Sequence, residues 1–218
     1  MGYIFHDKGD EDKAFDYLNR SLEVADKGGN NKSIRNVLGY IGWKYYLSGY
    51  YSKALDYFNR ELRIIEEIGD NWRNSNNLTN IGLVYFQQEE YNKAFEYFNK
   101  SAIMQMELDS TITLETLSYL FLSKKILGKE YKVAEIYKLI KESEESVDYP
   151  LLYGDSLDKN IDDYINLALF KLLEDKSYLE TAYNQIQEKA DNLEPDVAAK
   201  FLSYPIPKAI VEEWEKVK

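Results

Sequence analysis

Few side chains in this sequence could do chemistry, and each is soon used up. His6 is the lone histidine and there is no cysteine. Thiolate metal sites, paired-histidine zinc sites, disulfides and a cysteine nucleophile are therefore excluded. Without a second such group His6 reads as a solvated or groove-facing side chain. The run Asp155-x-x-Asp158-x-Asn160-x-Asp162-Asp163 has the acidic spacing of a calcium loop. Such a loop needs glycine at its sixth position and a bidentate glutamate at its twelfth. Counted from Asp158, those positions hold Asp163 and Leu169. The run instead reads as a helix start, where acids meet the positive end of the helix dipole. Glu66-Glu67, Glu144-Glu145 and Glu212-Glu213 are carboxylate pairs, but neighbours on a helix diverge by about 100° and share no face. There is no Gly-x-Ser-x-Gly, no phosphate-binding glycine loop and no dinucleotide fingerprint. Neither catalysis, nor a metal, nor a cofactor is expected.

What could position any remaining function is a set of helices. The chain has 218 residues, 44 % of them apolar, which is enough to bury a core without staples. With Lys+Arg 27 against Asp+Glu 38, the net charge is −11. That is the wrong sign for nucleic acid, whose phosphates demand Lys and Arg, even where aromatic stripes could stack bases. No apolar run approaches the ~20 residues of a membrane helix, and no signal peptide precedes the first motif. The expectation is an acidic cytoplasmic protein. The four prolines are Pro150, Pro195, Pro205 and Pro207, so nothing earlier interrupts a helix. The 20 tyrosines recur at helical spacing rather than alternating as in strands.

The sequence repeats. Gly2, Gly42 and Gly82 open equivalent segments, and Lys13-Ala14-Phe15-Asp16-Tyr17 matches Lys53-Ala54-Leu55-Asp56-Tyr57 and Lys93-Ala94-Phe95-Glu96-Tyr97, each 40 residues on. Each unit predicts two helices. In the second they run over 33–47 and 51–68, breaking at Ser48-Gly49 and stopping at Gly69-Asp70-Asn71. Gly42 and Ala54 are small where two antiparallel helices must cross closely, with Tyr45, Tyr51 and Phe58 filling the space around the crossing.

The pattern Leu78-x-x-Ile81-Gly82-x-x-Tyr85, followed by Ala94-x-x-x-Phe98, resembles the tetratricopeptide repeat. The closing proline of that family is missing, and the period is 40 rather than 34. The longer period is similar to a subgroup with extended helices, found in kinesin light chain, in the spindle-orientation adaptor LGN and in bacterial peptide-sensing regulators of the Rap type. The resemblance covers residues 2–108 and weakens beyond. Leu122, Leu127-Gly128, Tyr131, Ala134 and Tyr137 sit where a fourth unit puts them, with Lys125 and Lys138 in place of aromatics. Residues 1–146 thus read as three to four repeats, the first truncated at Met1, as though further repeats or a larger protein preceded it. Residues 147–218 read as a loop, a fifth degenerate helical pair (157–173 and 176–193, with Ala182 as its crossing residue) and two capping helices opening at Pro195 and Pro207. The tail Phe201-Leu202-x-x-Pro205 with Ile210 and Trp214 resembles segments that close repeat arrays in bacterial signalling ATPases, cyclases and kinases.

The resemblance implies an all-α, right-handed superhelical solenoid in which the first helix of each pair lines a concave wall. Inward positions are then Asn36, Tyr40, Trp43 and Leu47, their equivalents Asn76, Asn80, Leu83 and Gln87, and Thr116, Leu120, Ser123 and Leu127. In the family such asparagines often grip a bound peptide's backbone, since an amide offers both donor and acceptor. Helix interiors do not favour asparagine, so its return on one stripe asks for a reason. Trp43 suits an aromatic anchor. The expected function is protein–protein interaction with a neutral-to-basic peptide or protein segment. Two alternatives stand beside it: a sensory region regulating an upstream domain of the same signalling protein, and a homo-oligomeric scaffold.

Overall fold

The computed structural model describes residues 11–108, 113–134, 136, 138–139 and 162–218. The expectations for His6, Glu144-Glu145, Pro150, residues 155–160 and the boundary at 146/147 lie outside the described residues. Ten helices are defined there, and among the described residues there is no strand. They are α1 (Glu11–Lys27), α2 (Asn31–Leu47), α3 (Tyr51–Ile68), α4 (Asn71–Gln87), α5 (Tyr91–Glu107), α6 (Leu114–Ile126), α7 (Asp163–Leu173), α8 (Lys176–Asp191), α9 (Pro195–Leu202) and α10 (Pro205–Val217). The chain is all-α and built of tetratricopeptide-like helical hairpins. It divides into two compact units. Among the described residues, unit 1 takes in 11–69 and 183–216, and unit 2 takes in those between 70 and 182.

In unit 1 the start of α2 and the end of α3 follow from local chemistry. The Asn30 side chain accepts from Ser33 N at 3.1 Å, satisfying one of the free N–H groups that open α2. Gly69, at φ 75°, closes α3 with its N–H on the Ile65 carbonyl at 2.9 Å. Between α2 and α3 the crossing is as close as the small residues predict. A Cβ built on Gly42 would lie 2.7 Å from the Phe58 ring, and Ala54 and Phe58 are both fully buried. Tyr45 stacks on Tyr57 at 5.5 Å beside this crossing, and Tyr51 meets Tyr46 at 6.1 Å.

Unit 2 repeats the crossing. Gly82 faces the Phe98 ring, Ala94 is fully buried, and Tyr85 stacks on Tyr97 at 5.4 Å. Asp70 caps α4 by accepting from Arg73 N at 3.1 Å. A buried hydroxyl cluster then joins α4, α5 and α6. Thr79 Oγ1 lies 2.8 Å from both Ser101 Oγ and Thr116 Oγ1, while Ser101 donates to the Ser75 carbonyl at 2.8 Å. The Gln105 side chain accepts from Thr113 N at 2.9 Å, tying in the start of α6. Buried polar groups are tolerated only when bonded, and bonded ones fix register. The equivalent positions of unit 1 use different chemistry. Glu61 stands in place of Ser101, and Gly39 in place of Thr79 leaves room for its carboxylate, 2.7 Å from where a Cβ would sit.

The fourth pair departs from the pattern as its residues suggested. Leu122, buried, occupies the crossing position held elsewhere by glycine, and Ala134 is exposed. Lys125, in place of an aromatic, donates to the carbonyls of Lys171 and Leu172 at 2.9 and 3.1 Å and to Glu174 at 2.8 Å. It caps the C-terminus of α7, where carbonyls lack partners and positive charge is favoured. The Glu174 carboxyl is held below its ordinary range by this bond. Lys125→Met is expected to cost about 1 kcal/mol, most of it from the uncapped carbonyls because Glu174 is 80 % exposed. Urea denaturation should show that loss, with faster amide exchange at the end of α7.

The fifth pair is α7 and α8, with Ala182 fully buried, and boundaries shift. α7 opens at Asp163, behind its N-cap Asp162, and not at 157. The last helix opens at Pro205, not Pro207. Tyr204, at φ −66° and ψ 153°, has the extended backbone that a following proline imposes, and both prolines fit a first turn where N–H groups have no helical acceptor.

Candidate functional site

The inward stripe divides sharply by depth. In unit 1 its members reach the surface. Asn36 is exposed, its carbonyl Oδ1 accepting from Arg35 Nε at 3.3 Å and Nη2 at 3.1 Å, which fixes the amide. Tyr40, Trp43 and Leu47 are half-buried, and the Trp43 ring stacks on the buried Tyr46 at 5.0 Å and 26°.

In unit 2 the equivalent residues are interior. Asn76 is 6 % exposed, Asn80 4 % and Leu83 0 %; of that set Gln87 alone is partly exposed. On α6, Thr116 and Ser123 are fully buried and Leu120 nearly so. Thr116 is taken up by the hydroxyl cluster, and Leu83 and Ser123 are enclosed. The physical reason is that helical periodicity gives direction around a helix, and the depth of cover is set by the neighbours packed on it. Asn76 Nδ2 and Ser123 Oγ are buried without a hydrogen-bond partner.

The carboxylate pairs behave as their angular divergence requires. Glu212 meets Lys208 at 3.8 Å and Glu213 meets Lys216 at 3.0 Å, on separate flanks of α10, while Glu66 and Glu67 are exposed. Among the described residues no three His, Asp or Glu side chains gather as a metal site, and no helix is long and apolar enough to cross a membrane.

Sequence models of the tetratricopeptide repeat match residues 1–67 and 75–102. Over those spans the chain carries tetratricopeptide repeats. The matched spans hold both close crossings, Gly42 on Phe58 and Gly82 on Phe98, which are the packing those repeats depend on. No curated protein matches the chain. Tetratricopeptide repeats support a protein–protein interaction module, and the family is generally non-catalytic.

Two features of this tetratricopeptide array escaped the sequence reading. The first is a ladder repeated in both units: Lys53 over Tyr45 and Arg60 over Tyr57 in one, Lys93 over Tyr85 and Lys100 over Tyr97 in the other, at 4.9–5.5 Å from the ring centroids. Its signal was present in the 40-residue register of those lysines and tyrosines. Burial, followed by the neighbouring Tyr57 and Tyr50, pushes the Tyr45 phenol up. The second is a carboxyl at the start of α6. Tyr164 OH, from α7, donates to Glu115 Oε1 at 2.6 Å, and Tyr119 OH donates to the Tyr164 carbonyl at 3.1 Å. Burial pushes the Glu115 carboxyl up to about 7, with the Asp162 charge adding to the shift and the Tyr164 bond opposing it. No local spacing announces a pair 49 residues apart.

Proposed function

We propose that the chain binds a partner protein through an extended or helical segment laid on an exposed first-helix face of its repeats. Asn36, Tyr40 and Trp43 make the contacts, all on α2 of unit 1. Asn76, Asn80, Leu83 and Ser123 support the helices from behind. The observation that carries this reading is the exposed edge of α2. A pinned amide at Asn36 lies on the same stripe as two large aromatics that keep part of their surface in water. A rigid aromatic with little conformational freedom left to lose is the usual centre of a binding hot spot, and an oriented amide adds backbone recognition. The net charge of −11 favours neutral-to-basic segments.

Selection from a displayed library of random peptide segments tests this directly. The enriched segments should be neutral to basic and should bind more weakly as salt rises. Trp43→Ala should weaken them by about tenfold or more, while the lost stack on Tyr46 lowers the melting temperature by only a few degrees. Enriched segments that bind the Trp43→Ala/Asn36→Ala protein as well as the parent would place recognition elsewhere.

A further inference from the structure

The C-terminal helix does not simply end the chain. Unit 1 contains the α2–α3 hairpin together with α9, nearly all of α10 and the second half of α8, although more than 110 residues separate the hairpin from them. The point of contact is specific. The α2–α3 turn carries Gly49 at φ 79°, and a Cβ placed there would fall 2.9 Å from Pro205 Cγ. Glycine is required at that turn twice over, for its left-handed backbone and for the proline ring seated on it. Behind Pro205, Ile206 is 5 % exposed and Ile210 0 %, four residues apart on one face of α10, and Trp214 stacks on Tyr183 of α8 at 5.1 Å. The connection to α10 is light by comparison. The eight-residue α9 has no buried residue at all. A segment with few buried contacts opens well before the domain around it.

We propose that α10 is a built-in ligand of unit 1, a strap that occupies the α2–α3 turn and opens as a unit to bare it. The surface so exposed fits a helix that starts with proline, as α10 does with Pro205. A partner with that pattern would compete with the strap. Tethering gives α10 a high effective concentration at its own site, so the site is hidden from weak competitors until the strap is loosened. This inference stands apart from the groove reading above, since it concerns the turn at Gly49 and its occupant.

The probe is a fluorescent peptide spanning residues 203–218, added to the full chain and to an Ile206→Asp/Ile210→Asp variant whose own α10 can no longer seat. The variant should bind the peptide at least about tenfold more tightly than the parent, because the tethered competitor has gone. Adding Gly49→Val to the variant should abolish that binding. Equal binding to parent and variant, or none to a variant that keeps its helical signal, would overturn the proposal. Should the variant fail to fold, native-state hydrogen exchange on the parent decides. Amides of α10 are expected to open in a step of their own, ahead of those in α2 and α3, and exchange only through global unfolding would refute a detachable strap.

Discussion

Leucine at position 82 is expected to destabilise unit 2 by about 3 kcal/mol. The number follows from the geometry of one crossing. A Cβ on Gly82 would sit 2.8 Å from Phe98 Cε1 and 2.9 Å from Cδ1, closer than real Cβ atoms approach. The ring has nowhere to go: Phe98 is fully buried and packs on Tyr119 at 5.7 Å, which in turn meets Phe86 edge-on at 5.0 Å. Relief therefore requires α4 and α5 to separate, which loosens the buried Ala94 contact and stretches the hydroxyl bonds running from Thr79 to Ser101. Even alanine, which gains about 1 kcal/mol of helix propensity over glycine, should lose on balance because the first added carbon makes the clash. Gly69 provides the contrast, because nothing lies within 4 Å of its would-be Cβ and its substitution carries only the strain of φ 75°. Urea denaturation with amide exchange on α4 and α5 checks this. An unchanged midpoint for Gly82→Leu would mean that Phe98 does not rest on that glycine.

The crossings were legible in the sequence because they are repeated and steric: a glycine, an alanine and a phenylalanine recur at fixed separation, and only one helix pairing satisfies all three. Helix ends were legible where a residue type dictates backbone, as Gly69 and Asp70 do. The α4–α5 turn shows the limit of that logic. Glu89 takes φ 61° where the preceding repeat has Gly49, so a turn formed without its usual residue because the flanking hairpin held it. The candidate site was legible only in direction. Asn36 and Asn76 occupy the same position of successive repeats, yet one is exposed and the other enclosed. Their surroundings differ through Arg35 and Glu61 in one repeat and Ser75 and Ser101 in the next. Lys125 and Pro205 act through partners 46 and 156 residues away, which no local pattern encodes.

Stability should fall as the pH rises from about 4.5 to about 7, and Glu115 should be the main cause. Its carboxyl is raised from the ordinary value of 4.5 to about 7 by enclosure between α6 and α7. Across that window the folded protein holds a proton that the unfolded chain releases. Stability then decreases with pH, fully present below the unfolded value and lost as the pH climbs through the folded one. A shift of this size corresponds to about 3 kcal/mol. Glu115→Gln keeps an oxygen to accept from Tyr164 and removes the titration, so its stability should be nearly level where the parent's declines. Other carboxylates, and the rising negative charge of an acidic chain, act on both proteins alike, and the difference between the two curves isolates Glu115. Tyr164→Phe should extend the decline to higher pH, because the hydroxyl favours the carboxylate and its loss leaves burial unopposed. Urea midpoints for the three proteins, taken at intervals from acid to mildly alkaline pH, give the answer. Parallel curves for parent and Glu115→Gln would show that the carboxyl is solvated and that α7 does not close over the start of α6.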